Sequence, residues 1–301
     1  MNSNLRSMAI LRLTLLVFSV NLIINMGQSK KIHLPARKTH HGFGFDYVKD
    51  GIMGPQNWGL FWPDCKGDRQ SPINIVNHDA LYYPFKLNYL IEGCNFKGMF
   101  KNNGHSPTFT LNDKGTQISG IPRFSTDIFE LYNFHFHFGH SENDGSEHSV
   151  DGKKYAGEMH MVHYNTKYDT FSKAVNKDDG LVVLGIFLED LNQKFNAFDK
   201  FISHYGHKLK YIQGHVKTKF NPFTLLPKKD DSYFYKGSLT TPGCFQSVNW
   251  VVFKHPVHIS NKTLKILREM ETIYNHEQIS KAGNCRPKQP SNGRVVLRNC
   301  K

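Results

Sequence analysis

Between positions 133 and 138 the chain reads Asn-Phe-His-Phe-His-Phe, and the strict alternation points to one regular backbone. In a strand, neighbouring side chains point to opposite faces, so Phe134, Phe136 and Phe138 share one face while Asn133, His135 and His137 share the other. A helix would scatter both sets around its axis. A second segment, Glu158-Met159-His160-Met161-Val162-His163, puts Glu158 and His160 on one face and His163, of opposite parity, on the other, where it reads as a satisfied core or surface histidine. Buried imidazoles need partners, and a metal ion supplies them at about 2.0–2.1 Å. Three neutral imidazoles, His135, His137 and His160, leave one position of a tetrahedral zinc open, as a catalytic site requires and a closed structural site does not. Taken alone, the pattern fits unligated core or surface histidines equally well in a chain with 17 of them.

Turn signals recur at short intervals: Met53-Gly54-Pro55, Lys101 to Gly104, Asn112 to Gly115, Ser141 to Gly145 and Thr241-Pro242-Gly243. Between them lie strand-like segments at 106–111, 129–138, 155–164, 181–188 and 248–253, and a strand-rich sheet with hairpins follows. Helical periodicity is confined to 194–205 and 260–275, the second opening on Ser260 as a cap. No proline-rich linker divides residues 42–290, so one domain is the economical reading.

At the amino end Arg6 and Arg12 precede an apolar run from Leu13 to Ile24, and Gly27-Gln28-Ser29 offers small-x-small spacing. A run of about a dozen residues is shorter than the roughly 20 that span a bilayer, so residues 1–29 read as a cleaved export signal. Residues 30–41 form a basic, flexible lead-in, and no membrane span is expected. The formal charge of +13 is scattered in ones and twos and not gathered into a stripe, which makes nucleic-acid binding a weak reading and adsorption to acidic extracellular material a better one, with a merely soluble basic surface more economical than either. Export permits disulfides among Cys65, Cys94, Cys244, Cys285 and Cys300, but spacing does not assign partners. Asn261-Lys262-Thr263 is a glycosylation sequon.

Four blocks make the chain similar to the alpha carbonic anhydrases over roughly residues 42–290: Gln70 to Ile75, Asn133 to Gly139, Gly145 to His148 running through Tyr155 to His160, and Gly237 to Pro242. The resemblance implies an α+β, mostly β fold, a single domain around a large twisted, mainly antiparallel central sheet with a few peripheral helices, followed by a tail at 291–301. It implies reversible hydration of carbon dioxide to bicarbonate by a zinc-bound hydroxide, with His135, His137 and His160 as ligands. Thr240 is expected to accept a hydrogen bond from the hydroxide while donating to Glu147. Glu158 and Asn133 would orient His160 and His135; Asn133 replaces a longer glutamine common in the family. Val162, Val183, Leu239, Thr241, Val248 and Trp250, with Thr240, would line the substrate pocket. His105 matches the proton relay, with Tyr47 and Asn103 ordering its water. A Cys65–Cys244 disulfide is implied by the extracellular members, as is a secreted, invertebrate-like enzyme with a possible role in mineralisation. A Cys285–Cys300 pair is one option for the remainder.

The alternative is a catalytically inactive relative serving as a binding or matrix module, a class that typically lacks one or more of the zinc histidines. A zinc hydrolase of esters or peptides is disfavoured by the narrow apolar pocket.

Overall fold

The computed structural model describes residues 44–141, 143–190 and 196–301. The expected export signal at 1–29 and the lead-in at 30–41 lie outside the described residues. Among these, the strands in chain order are β1 (Asn74–Ile75), β2 (Leu81–Tyr82), β3 (Asn88–Ile91), β4 (Phe96–Asn102), β5 (Pro107–Leu111), β6 (Thr116–Ser119), β7 (Phe129–His137) and β8 (Ser149–Val150). They continue as β9 (Gly157–Asn165), β10 (Leu181–Asp190), β11 (His215–Phe220), β12 (Ser232–Gly237), β13 (Val248–Phe253), β14 (Val257–Ile259) and β15 (Leu297–Arg298).

One sheet dominates, running β11-β4-β5-β7-β9-β10-β13-β12-β15-β2. Most neighbours are antiparallel; β10 with β13, β10 with β14, and β15 with β2 are parallel. The centre of this sheet is covered on both sides. Phe100, Phe109, Phe134, Phe136, Met159 and Met161 belong to one core under the helices Ala197–Tyr205 and Asn261–Arg268. Val162, Val183, Phe187, Tyr235, Val248 and Trp250 form a second core on the opposite face. The period-two pattern of β7 therefore sends its phenyl rings into the first core and its histidines toward the second.

Helix boundaries are set by caps. Asn196 and Asp199 form a reciprocal capping box before Ala197, and the Ser260 side chain accepts the Thr263 N–H. The helical pattern read over 260–275 ends at Arg268: Glu269 and Met270 N–H still close on Lys265 O and Leu267 O, and beyond them the chain turns away, Glu271 N–H donating to Lys210 O and Ile273 N–H to Gly104 O. Within residues 291–301, expected as a tail, Leu297–Arg298 form a strand of the sheet. Phe234 and Leu81 flank Leu297 in register, and the Arg294 guanidinium donates to Gln70 O at 2.8 Å.

Candidate metal centre

Register brings the three histidines together. His135 on β7 stands directly across from His160 on β9, and His137 across from Glu158. The ring centroids lie 5.1 Å (His135–His137), 5.3 Å (His135–His160) and 4.5 Å (His137–His160) apart, and one nitrogen from each falls within 4.8 Å of the others.

The second nitrogen of each ring is held by the protein. His135 Nδ1 meets Asn133 Oδ1 at 3.1 Å, His137 Nδ1 meets Asn284 O at 2.7 Å, and His160 Nε2 meets Glu158 Oε1 at 2.9 Å. These acceptors fix each tautomer, so His135 Nε2, His137 Nε2 and His160 Nδ1 carry the free lone pairs. His137 Nε2 is buried with no hydrogen-bond partner, which a cation at the centre of the three would remedy. Burial, followed by repulsion from His137 and His160, holds the His135 pKa well below its ordinary value; burial does the same at His137. His135 and His137 are thus neutral donors suited to zinc. A second cluster, His148, Glu158 and His160, competes geometrically. Its facing atoms are already spent on one another, since Glu158 Oε1 also takes His148 Nδ1 at 2.7 Å.

Glu158 anchors this second layer. Its other oxygen accepts the His148 N–H at 2.8 Å, and His148 Nε2 continues to Tyr235 Oη at 2.6 Å, which contacts Ser71 Oγ at 2.8 Å. Burial alone would raise the Glu158 pKa, but His148 and His160 outweigh it and hold the carboxyl well below its usual range. Gly185, in register with His160, leaves room for this carboxylate: a Cβ there would stand 3.0 Å from Glu158 Oε1. Neither the carbonyl of Asn284, 147 residues from His137, nor the His148–Tyr235–Ser71 chain was anticipated from sequence, although His148 and Ser71 both sit in the motif blocks.

The profile of eukaryotic-type carbonic anhydrases matches residues 53–300. This chain belongs to that family. Human carbonic anhydrase 7 is 39% identical over 267 residues, covering 85% of this chain and 97% of the relative. Human carbonic anhydrase 3 is 35% identical over 252 residues, covering 81% and 94%. As a carbonic anhydrase the chain is a zinc-dependent carbonate dehydratase, and the donor set just described fits zinc.

Of the expected pocket residues, Trp250 reaches the triad, its ring 4.7 Å from that of His160. Val162, Val183 and Trp250 stand in one row across β9, β10 and β13, and Val248 joins them in the second core with Leu239 packed against it. Trp250 Nε1 donates to Ser238 O at 3.0 Å and ties down the loop carrying Leu239, Thr240 and Thr241. That loop turns at Pro242-Gly243, where Gly243 has φ of +99°, and the Cys244 N–H closes on Thr241 O at 3.0 Å. Cys244 is disulfide-bonded to Cys65, which pins the far end of the loop. Cys94, Cys285 and Cys300 are free, so the Cys285–Cys300 pair is not formed; Cys285 Sγ instead contacts Gly145 O at 3.1 Å.

Two expected features take a different form in this structure. Thr240 is buried, yet no hydrogen bond joins it to Glu147 in this structure: Glu147 Oε1 accepts the Arg286 N–H at 2.7 Å, and Oε2 is buried without a partner. His105, expected as the proton relay, is buried and stacked face to face on Phe45, with centroids 3.9 Å apart, and burial pushes its pKa down to about 4. Tyr47 lies 6.5 Å from His105, centroid to centroid. Asn103 is committed to the loop itself, accepting the His105 and Ser106 N–H groups at 2.8 Å each and donating to Thr108 Oγ1 at 3.1 Å.

Proposed function

We propose that the enzyme works outside the cell, hydrating carbon dioxide to bicarbonate and a proton with zinc held by His135, His137 and His160. The observation that carries this is the pinning of one nitrogen on each ring by Asn133, Asn284 and Glu158, which leaves three convergent lone pairs. Zinc, when bound there, lowers the pKa of a coordinated water to about 7 and so supplies hydroxide at neutral pH.

The chain's own residues do the rest. Glu147 Oε2, which has no partner in this structure, would accept the Thr240 hydroxyl proton in the working enzyme and leave the Thr240 oxygen to accept from the nucleophile and aim it. Val162, Val183, Leu239, Val248 and Trp250 offer carbon dioxide an apolar wall; Thr241 borders it. His105 relays the released proton to buffer, with Tyr47 and Asn103 beside it.

Extracellular action is supported by the apolar run at 13–24 and by the Cys65–Cys244 disulfide, since such bonds persist where the surroundings are oxidising. Asn261, exposed at the start of its helix, is the proposed glycan site. No helix among the described residues is long and apolar enough to cross a membrane. An acidic matrix partner would meet the basic surface, and supply of bicarbonate to a mineralising surface is the role proposed for it.

The test is stopped-flow carbon dioxide hydration by protein collected from the medium of secreting cells, before and after a chelator. Activity lost with the metal and restored by zinc is expected. Protein retained inside the cells, or activity indifferent to the chelator, would overturn the corresponding half of the proposal.

A further inference from the structure

Among the described residues the sheet ends at β11, which is paired on one side only, with β4. Its sequence alternates His215, Lys217 and Lys219, all exposed, with Val216, Thr218 and Phe220, which turn inward. The register continues the basic set onto β4: His215 stands across from Lys101, and Lys219 directly across from exposed Lys97. Like charges directly opposed in a sheet are destabilising. Among the described residues no carboxylate forms an ion pair with them; Asp113 Oδ2 accepts only the Lys97 backbone N–H, at 2.8 Å. The ion-paired lysines are Lys153, Lys154, Lys167, Lys173, Lys236 and Lys265, and none of the β4 or β11 lysines is among them in the described residues.

The same register fixes which way this strip faces. Lys101 pairs with Thr108 on β5, Thr108 with His135 on β7, and His135 with His160. The strip and the metal ligands therefore share one face of the sheet, separated by three strand spacings, about 14 Å. Beside the open edge is a hollow of about 700 Å³ lined by Cys94, Asn95, Tyr205, Thr218 and Lys219.

We infer that this edge is a docking strip for an extended acidic polypeptide, which adds to the sheet beside β11 and sets a carboxylate every second residue against Lys217, Lys219, Lys97 and Lys101. An unpaired strand edge offers its backbone groups to an incoming strand. The lysines repel neutral aggregation and basic strands at that edge, and the same charges select an acidic one. Alternate residues of an extended chain are about 6.6–6.8 Å apart, the same as Lys217 and Lys219. The inference gives the acidic extracellular partner proposed above a place on the molecule; it rests on that reading only for where the partner is met, because the strip is tested on purified enzyme.

The probe is a fluorescein-labelled eight-residue peptide alternating Asp and Val, followed by anisotropy against salt. Saturable binding that weakens with salt is expected, reduced at least tenfold in Lys97→Glu/Lys217→Glu/Lys219→Glu, whose carbon dioxide hydration without peptide stays at the wild-type rate and reports correct folding. Bound peptide is also expected to slow alkylation of Cys94, the exposed thiol in the hollow. Undiminished binding by the triple variant would overturn the lysine strip. Equal binding by a peptide N-methylated at alternate amides would overturn strand addition, and binding of heparin with no binding of the peptide would overturn the choice of a polypeptide. None of these outcomes bears on the hydration activity, so the two proposals fail separately.

Discussion

His160 donates through Nε2 to Glu158 Oε1 at 2.9 Å, and that single contact decides which nitrogen of the ring can face a metal. Glu158 is fully buried and ionised, held by three donors from His148 and His160. Replacing it with glutamine removes the charge and turns one acceptor into a donor that faces N–H groups. Glu158→Gln is expected to weaken zinc binding by about 10–100-fold, the usual effect of losing a group that orients a ligand. Competition with a chromophoric chelator reads this directly; unchanged affinity would show that the tautomer is set elsewhere.

Val183 lies between Val162 and Trp250 in the row that walls the proposed substrate site. Val183→Phe overfills that row, at about 1–3 kcal/mol of stability, and takes up the space left for carbon dioxide. Turnover is expected to fall sharply while one zinc per chain is retained. Wild-type hydration kinetics in this variant would place the substrate elsewhere.

His105, the proposed proton relay, illustrates how packing can detune a titrating ring. Its ring is parallel to Phe45 within 2°, and burial carries its pKa to about 4 from the ordinary 6.5. A relay works best when its pKa is near the operating pH. Phe45→Ala is expected to raise the His105 pKa toward 6.5, read by NMR titration, and to speed hydration in weak buffer. His105→Ala is expected to slow hydration in weak buffer and leave it unchanged in strong buffer; identical rates in both would remove His105 from proton transfer.

Buried His163 sits outside the site, with Nδ1 against Met161 O at 3.0 Å and its pKa pushed down to about 3 by burial. The unfolded chain takes up this proton near 6.5, and the folded one does not until about 3. The group's contribution is therefore intact above pH 6.5 and erodes as pH falls from 6.5 toward 3, by up to about 1.4 kcal/mol per pH unit. In denaturant titrations from pH 7 to 4, His163→Gln is expected to flatten the decline in stability by about one proton. An unchanged slope would mean that His163 is protonated in the native state.

What could be read from the sequence was what strand parity carries. The faces of β7 and β9, and with them His135, His137 and His160, follow from alternation because a period of two leaves no freedom. The acceptor for His137 does not: it is a backbone carbonyl, at Asn284, and a carbonyl has no residue type to recognise. The early end of the helix after Arg268 was hidden for a related reason, since Lys210 and Gly104, from distant parts of the chain, take the amides of Glu271 and Ile273. Strand β15 spans only Leu297–Arg298, too short for periodicity to register, and is held by partners on β12 and β2. The stacking of His105 on Phe45 joins segments 60 positions apart, and local sequence reports nothing of it.

The central claim, three imidazoles from two neighbouring strands on one zinc, is tested most directly by X-ray absorption at the zinc edge of the loaded protein. The expected first shell holds three imidazole nitrogens and one further light atom, all at about 2.0–2.1 Å. Fewer than three imidazoles, or a sulfur near 2.3 Å from one of the free cysteines, would contradict it.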